Sequence, residues 1–305
     1  MTAVTEFILL GFQVSQNIRI LMFSLLIVIY WFTMFMNLLI ITLVSTSKTL
    51  HTPMYFFISQ LSISDILLST DIVPNMLHIL LYNRGNITFI GCMTQFYVFS
   101  ASEASECLLL TVMSYDRYVA ICNPLHYSSI MTSTYCVILS IISWLAAFSI
   151  ILCLLITIVM LDFCGSNIID HFFCDTVPLV ELSCSDIYNV QLEVSLLGII
   201  LTLFPITTII FSYTRIIVTT LRIPSSTGRQ KAFSTCSSHL IVVSIFFWTI
   251  FSVYVVPTRG ESSTISKILS LLYTVFTPLI NPIIYSLKNN DIKMAFHGQI
   301  YKYFR

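Results

Sequence analysis

One stretch of this sequence decides the fold: Met113-Ser-Tyr-Asp-Arg-Tyr-Val-Ala-Ile-Cys122. It places an acid–base pair, Asp116 and Arg117, at the end of a long apolar segment. Charged side chains in or beside a membrane span are costly to hold there, so they mark functional positions more often than packing positions. The stretch therefore predicts a membrane helix that carries a functional site near one end.

The composition of the whole chain indicates the same solvent. Charged residues make up 9% of the 305 residues and hydrophobic residues 57%, whereas soluble domains carry roughly 25% charged residues. Nearly uncharged runs recur, each of roughly the 20 residues that a helix needs to cross a hydrocarbon core, and helices satisfy their own backbone groups in lipid. The seven runs are Ile20–Val44, Met54–Leu81, Cys92–Tyr115, Val137–Leu161, Val194–Thr214, Phe233–Val256 and Ile268–Leu287. The predicted fold class is an all-α membrane protein, a seven-transmembrane helix bundle.

The placement of basic residues predicts the orientation of this bundle, because lysine and arginine gather on the cytoplasmic side. With the N-terminus outside, the inner side holds Lys48, Arg117, Arg215, Arg222, Arg229, Lys231, Lys288, Lys293, Lys302 and Arg305, and the outer side holds Arg19, Arg84, Arg259 and Lys267. We therefore expect a multi-pass protein of the plasma membrane.

One domain, residues 1–305, is expected to make up the whole chain. Residues 1–19 form its extracellular N-terminus, residues 20–287 the bundle, and residues 288–305 a cytoplasmic tail. In that tail Ile292 and Phe296 share one face of a short amphipathic helix that lies on membrane lipid. The charge pattern predicts no nucleic-acid partner.

The third span carries two further acids, Glu103 and Glu106. At about 100° per residue they share one helix face with Arg117, and that face should point into the bundle. Asp65 in the second span is the natural partner of Glu106. Two acids at mid-membrane depth either share a proton or hold a cation such as sodium, because both cannot ionise without compensation. The sequence leaves both alternatives open.

Small residues beside Glu103 leave space in the outer half of the bundle, where a small, largely apolar ligand fits. Helical spacing and depth select the predicted lining: Ser100, Glu103, Ala104 and Cys107 in the third span, Leu197, Gly198 and Leu201 in the fifth, and Phe247, Phe251 and Tyr254 in the sixth. Glu103 either contacts the ligand and favours amines through charge-assisted bonds, or stays neutral, bonded to a neighbouring hydroxyl, and selects alcohols or ketones.

Polar side chains also lie near the inner ends of the spans. Tyr213 and Tyr285 either bond to Arg117 or water when the helices move, or anchor the chain at the interface. His239 in the sixth span has the same two interpretations. Pro282 permits a kink in the seventh span, and Asn281 before it can bond to the freed carbonyl groups.

Four of the nine cysteines fall outside the membrane, in an oxidising compartment. They are Cys92, Cys164, Cys174 and Cys184, and sequence alone cannot choose among their three pairings. Asn86-Ile-Thr88 fits a glycosylation acceptor in the first outer loop. The sequence has no catalytic set, metal-ligand spacing or glycine-rich phosphate loop, so we expect neither an enzyme nor a cofactor, apart from the sodium alternative.

Several motifs together resemble the vertebrate olfactory (odorant) receptor family of rhodopsin-like G-protein-coupled receptors, over nearly the whole chain. They are Glu6-Phe-Ile-Leu-Leu-Gly-Phe12, Leu50-His-Thr-Pro-Met-Tyr-Phe-Phe57, Met113–Cys122 with Asn123-Pro-Leu-His-Tyr127, Phe211-Ser-Tyr213, Lys231-Ala-Phe-Ser-Thr-Cys236 with Ser238-His239, and Pro278-Leu-Ile-Asn-Pro-Ile-Ile-Tyr-Ser-Leu287. Glu103 and Phe247-Trp248 depart from the family pattern.

The resemblance implies an odorant receptor that binds a small-molecule odorant and activates a stimulatory, olfactory-type heterotrimeric G protein, raising cyclic AMP. It implies disulfides Cys92–Cys174 and Cys164–Cys184, and an ion site at Asp65 and Glu106. The implied G-protein-coupling switch comprises Asp116, Arg117, Tyr118, Tyr213, His239, Asn281, Pro282 and Tyr285. The alternatives are a non-olfactory rhodopsin-like receptor for a small amine or another ligand, which should lack the Pro53–Phe57 and Lys231–Cys236 signatures, and a transporter or channel, which should show duplicated halves.

Overall fold

The structure is a computed structural model that describes residues 4–164, 166–254 and 263–303. Within these residues, seven helices are long and apolar enough to cross a membrane, which confirms the predicted bundle. They are α1 Gln16–Thr46, α2 Pro53–Tyr82, α3 Phe89–Cys122, α4 Ser133–Val159, α5 Tyr188–Leu221, α6 Ser226–Tyr254 and α7 Thr264–Lys288. An eighth helix, α8 Asn290–Tyr303, lies where the sequence predicts the amphipathic helix.

Each of the seven helices begins before the uncharged run that predicts it. α3 continues past Tyr115 to Cys122 and so includes Asp116 and Arg117. At the start of α3 and α4, the hydroxyls of Thr88 and Thr132 accept hydrogen bonds from backbone N–H groups at 3.0 and 3.2 Å. Such caps satisfy the free N–H groups of a first turn. The absence of charge locates the hydrocarbon core, whereas the threonine caps mark where α3 and α4 start.

A small β-sheet closes one end of the bundle, and the sequence does not predict it. It consists of β1 Glu6–Leu9, β2 Gly85–Thr88 and β3 Ile168–Ile169, in the order β2-β1-β3. β1 pairs antiparallel with β2 and parallel with β3. Strands this short leave too little alternation to read, and their pairing partners are far apart in the chain. We call this end of the bundle the sheet end, and the opposite end, where α3 finishes, the Arg117 end.

Two helices widen into a single π-helical turn, α5 at Ile199–Leu203 and α7 at Leu272–Phe276. Each turn contains the carbonyl that lies four residues before a proline, Pro205 or Pro278. A proline has no N–H to offer that carbonyl, and its ring crowds it. The wider turn removes the clash, and in α7 the Thr277 hydroxyl bonds to the carbonyl of Leu272 at 3.1 Å.

Pro282 frees the carbonyl of Pro278 in the same way, and its partner differs from the predicted one. Asn37 of α1 donates from Nδ2 to Pro278 O at 3.1 Å. Asn281, expected to serve the freed carbonyls, donates to Asp65 instead. The expectation was wrong because the Asn281 side chain points to α2, while α1 packs against the carbonyl side of α7.

Buried apolar side chains fill the bundle in two large groups, one in each half. The outward faces are apolar as well: Trp31 of α1, Leu145 of α4 and Phe204 of α5 are each at least 60% exposed. A surface of this kind suits lipid rather than water. The chain is a multi-pass membrane protein.

Candidate functional site

A polar cluster lies inside the bundle where α2, α3 and α7 meet. Asp65 and Glu106 are each 1% exposed and are close enough to interact electrostatically. Asn281 donates from Nδ2 to Asp65 Oδ1 at 3.0 Å and to Oδ2 at 3.4 Å. Glu106 Oε1 and Ser102 Oγ are buried and have no hydrogen-bond partner among the described residues. The cluster therefore leaves two buried oxygens available to a further partner.

The second cluster surrounds Arg117. Asp116 is fully buried and Arg117 is 8% exposed, and they form an ion pair in which Arg117 Nε donates to Asp116 Oδ2 at 2.8 Å. Tyr127, in the single-turn helix Tyr127–Ile130, donates from its hydroxyl to Asp116 Oδ1 at 2.8 Å. Burial, together with the Asp116 carboxylate, raises the pKa of that hydroxyl, so it keeps its proton. Both oxygens of Asp116 are engaged, and Arg117 is held on its own helix.

Other predicted switch residues lie around this pair without bonding to it. Tyr213 of α5 hydrogen-bonds to Nδ1 of His239 in α6 at 2.6 Å, and the two rings are stacked with planes 16° apart. Tyr285 of α7 is buried, and its hydroxyl has no hydrogen-bond partner among the described residues. Tyr118 is half-buried. In this structure Tyr213 therefore joins α5 to α6 rather than to Arg117.

The predicted ligand residues fall into different surroundings. Ala104 and Leu201 are buried in one apolar cluster that α4 completes with Ala147 and Ile151, and Leu197 packs against its edge. Cys107 and Phe247 belong to the larger apolar cluster at the Arg117 half. The contribution of α4 is missing from the predicted lining, because Ala147 and Ile151 are two of many apolar residues in α4 and carry no polar group that would single them out.

Two of the predicted lining positions point outward. Phe251 is 51% exposed, and Gly198 is exposed with nothing near the place of a Cβ. Helical spacing alone placed them inside, but α5 and α6 turn these faces away from α3. The side chain of Tyr254 lies outside the described residues, although its backbone ends α6.

Glu103 lies beside other acids. Ser100 and Glu103 are half-buried, and Glu103 Oε1 has no hydrogen-bond partner among the described residues. Its electrostatic neighbours are Asp175, in the loop after α4, and Glu106. Burial raises the pKa of the Asp175 carboxyl to about 6, and that carboxyl accepts a bond from the Thr176 N–H at 2.7 Å. The expected hydroxyl partner for Glu103 is not found in the described part of the chain.

Two surface clefts open near the sheet end, and neither is lined by the predicted ligand residues. One of about 260 Å³ lies between α3 and α4 and includes Tyr97 and Leu155. The other, of about 430 Å³, lies between the ends of α4 and α5, where Thr157 donates to Glu193 Oε1 at 3.0 Å.

The sheet end carries both disulfides. They join Cys92 to Cys174 and Cys164 to Cys184, the pairs that the family resemblance implies. Asn86, the glycosylation candidate, is exposed in β2, where it pairs with Ile8 of β1.

The sequence does not predict a polar junction that lies at the Arg117 end. Tyr55, in the first turns of α2, donates its hydroxyl to Asn289 Oδ1 at 2.8 Å and to Asp291 Oδ2 at 2.9 Å. Gln299 of α8 donates to the Thr46 hydroxyl at 2.5 Å. These bonds attach α8 to the ends of α1 and α2. The Met54-Tyr-Phe-Phe57 motif was available as a signal, but its partner lies more than 200 positions away.

Comparison with known proteins identifies the family. A family model described as olfactory receptor matches residues 26–302. The chain belongs to the olfactory receptor family. It is 46% identical to Olfactory receptor 10A7 of Homo sapiens over 96% of this chain and 93% of that protein, and 42% identical to Olfactory receptor 6B9 of Mus musculus over 98% and 95%.

The fold of this olfactory receptor is that of a G-protein-coupled receptor. Squid rhodopsin superposes with a TM-score of 0.74 at 17% identity, over 96% of this chain and 88% of that one. Family membership also confirms that the receptor is a signalling protein and not an enzyme. The transporter or channel alternative is excluded.

Proposed function

We propose that this receptor binds a small, largely apolar odorant in the sheet-end half of its bundle and activates a stimulatory, olfactory-type heterotrimeric G protein at its Arg117 end, raising cyclic AMP. The observation that carries the proposal is the buried Asp116–Arg117 pair, closed by Tyr127. A charge that is paired on its own helix, with a partner held in turn by Tyr127, can be released by a helix shift. Outward movement of α6 would break the Tyr213–His239 bond and expose Arg117 to the G protein.

Membrane orientation is part of the proposal. Ten of the 14 basic residues favour a cytoplasmic Arg117 end, and two disulfides at the sheet end favour an oxidising compartment. We infer a plasma-membrane receptor with residues 1–19 outside, 20–287 in the bundle and 288–305 inside, forming one domain. Antibody staining of an N-terminal epitope on intact cells should succeed, and staining of a C-terminal epitope should need permeabilised cells; the reverse pattern contradicts this orientation.

The coupling step has a direct test in Arg117→Ala. Cells expressing the variant should show no cyclic AMP rise to odorants that activate the unchanged receptor, because the released guanidinium is gone. Arg84→Ala is the matched control, since Arg84 is an exposed arginine at the sheet end. Both variants are compared at equal surface expression. A full response from Arg117→Ala contradicts the coupling role.

The ligand class is proposed from Glu103. Its unpartnered oxygen beside Asp175 and Glu106 favours an ammonium group, since a charge-assisted bond to a carboxylate is strong. Glu103→Gln should lower the potency of amines by about tenfold to a hundredfold, because a hydrogen bond to a charged group contributes roughly 1.5–3 kcal/mol. The potency of isosteric alcohols should stay nearly the same. Equal losses for both ligand classes contradict ammonium recognition and support a neutral Glu103.

A sodium ion is proposed between Asp65 and Glu106. The residues fit the ion, because Glu106 Oε1 and Ser102 Oγ are buried oxygens without hydrogen-bond partners in the described chain, and hard cations prefer oxygen ligands. The ion would supply the positive charge that lets both acids ionise. Glu106→Gln should abolish any dependence of thermal stability on sodium relative to potassium; a retained dependence points to another site.

A further inference from the structure

The mouth of the bundle at the sheet end is closed by two segments that pack as one body. We call this body the cap; it comprises residues 5–12 and 166–175. β1 pairs with β3, and Gly11 N donates to His171 O at 3.1 Å. Phe12 stacks on Phe172 with ring centroids 5.8 Å apart. These contacts join the two segments, so any movement of the cap carries both segments together.

The underside of the cap is an aromatic plug. Phe172 and Phe173 are fully buried, and the Phe173 ring meets Phe99 of α3 edge-on at 4.9 Å. Tyr273 of α7 is the next ring, 5.6 Å from Phe99. A molecule approaching Glu103 from the sheet end meets this plug, because Phe99 lies one helical turn before Glu103 on the same face of α3. Ser100 directly follows Phe99 on this helix.

The two sides of the cap are attached by different kinds of bond. On the α3 side the attachment includes the covalent Cys92–Cys174 disulfide, and Gln95 Oε1 accepts a bond from the Cys174 N–H at 3.1 Å. On the same side β1 pairs with β2, which leads directly into α3. On the α7 side the attachment is polar and reversible. There Lys267 Nζ donates to Gly11 O at 2.8 Å and to Asp170 Oδ1 at 2.5 Å.

Lys267 is 3% exposed, although lysine is almost never buried without a partner. Two acceptors of its ammonium, Gly11 O and Asp170 Oδ1, belong to the cap, one to each segment. Further along α7, the Ser270 hydroxyl hydrogen-bonds to His171 Nε2 at 3.3 Å. The cap therefore has a covalent hinge at α3 and a polar catch at α7.

We propose that Lys267 is the positioning residue that holds the cap closed on α7, and that ligands enter when its bonds to Gly11 and Asp170 break and the cap swings about the Cys92–Cys174 hinge. The proposal rests on the sheet-end ligand site of the proposed function. It assigns Lys267 to access, with the ammonium turned to water in the open state. Ligand passage then depends on a bond that a point mutation can remove.

Access can be measured without an odorant or a G protein. Ser100→Cys is introduced as a reporter beneath the plug, and the purified receptor is treated with a membrane-impermeant, trimethylammonium-bearing methanethiosulfonate. Peptide mass spectrometry follows the rate at each cysteine. Cys136 is buried in the Arg117 half and reports global loosening. Because neither partner is present, a failure here is distinguishable from failure of the proposed function.

Lys267→Met keeps the apolar stem and removes the ammonium. It should speed labelling at the reporter by at least about tenfold, the factor that corresponds to one lost charged hydrogen bond, and leave labelling at Cys136 unchanged. Lys288→Met, the same change at the exposed far end of α7, should have no effect. An unchanged reporter rate in Lys267→Met overturns the proposal, as does an equal acceleration at Cys136.

Asp170→Asn provides a second route if Lys267→Met folds poorly. The Asp170 side chain is 48% exposed, so the substitution is mild, and it should also accelerate labelling at the reporter. Combined with Lys267→Met it should add little, because both changes break one contact. Fully multiplicative effects show independent actions and contradict a shared catch.

Discussion

His171 shows at the scale of one residue how burial sets a protonation state. Burial, with the Lys267 ammonium nearby, lowers the pKa of His171 to about 3, against the smaller opposing effect of Asp170. The ring is therefore neutral at any physiological pH, packed between Phe172 and Phe173 with ring centroids 4.7 Å away in each case. Neutrality is required, because a second cation beside Lys267 would repel it.

This shift makes a prediction about pH. The folded-state pKa lies below the ordinary value of 6.5, so unfolding takes up a proton and stability falls as pH drops below about 6.5. The slope reaches about 1.4 kcal/mol per pH unit for one proton. The melting temperature of purified receptor should fall between pH 6.5 and 4.5, and His171→Gln should reduce that fall.

Asp175 supplies the control for this prediction, because its folded-state pKa of about 6 is shifted upward. Its contribution to stability is present at low pH and is lost as pH rises through about 6, so it opposes His171 on acidification. Asp175→Asn should steepen the acid-side loss. Identical pH profiles for the unchanged receptor and His171→Gln contradict the assignment.

At the scale of elements, β1 depends on the turn that follows it. Gly11 has φ +60, and a Cβ there would lie 2.5 Å from Ile79 Cγ2 of α2. Left-handed backbone costs an L-residue roughly 1–2 kcal/mol, and the clash adds to it. β1 is the central strand of the sheet, so backbone strain at Gly11 disturbs the pairing of β1 with both β2 and β3.

Gly11→Ala is therefore predicted to loosen the sheet end locally. Amide hydrogen exchange in residues 6–12 and 85–88 should accelerate by at least about fivefold, which corresponds to roughly 1 kcal/mol. Gly298→Ala in α8 is the matched control, because nothing lies near its Cβ position and alanine favours a helix. Unchanged exchange in β1 contradicts the argument from backbone conformation.

The attachment of α8 makes a second prediction at this scale. Tyr55→Phe removes a hydroxyl that donates to Asn289 and Asp291, and bonds to charged groups contribute about 1.5–3 kcal/mol. Hydrogen exchange in residues 291–299 should accelerate at least about tenfold. Tyr188→Phe, at an exposed tyrosine of α5, should not alter it. If the amides of α8 stay protected from hydrogen exchange in Tyr55→Phe, apolar contacts such as those of Ile292 are sufficient to hold α8 in place.

At the scale of the whole molecule, the two ends of the bundle are held differently. Both disulfides lie at the sheet end. The described contacts that join helices at the Arg117 end include hydrogen bonds such as Tyr213 to His239 and Tyr55 to Asp291. A bundle with covalent links at one end and reversible bonds at the other is suited to transmit a ligand signal as helix movement at the reversible end.

The two disulfides should differ in how much they stabilise the folded receptor. Cys92 and Cys174 are 82 positions apart, and Cys164 and Cys184 are 20 apart. In the chain-entropy view the longer loop gains about 1 kcal/mol more from its link. Cys92→Ser/Cys174→Ser should therefore lower the melting temperature further than Cys164→Ser/Cys184→Ser. Equal losses, or a larger loss for the second pair, contradict loop length as the deciding factor.

The sequence alone determined the seven membrane helices, the amphipathic α8 and the burial of Asp65, Glu106 and Arg117. Each follows from local hydropathy and from helical spacing along one segment, which neighbours in the chain decide. It could not reveal which side chain serves which freed group, as Asn37 does for Pro278 across 241 positions.

Tertiary structure alone decided the three-stranded sheet, the outward turn of Phe251 and the bond from Lys267 to Gly11, 256 positions apart. Such pairs form only when packing brings distant segments together, and nothing local distinguishes a lysine that will be buried from one that will face water. Periodicity assigns a residue to a face of its own helix. The tilt of that helix and the loops above it decide what the face meets.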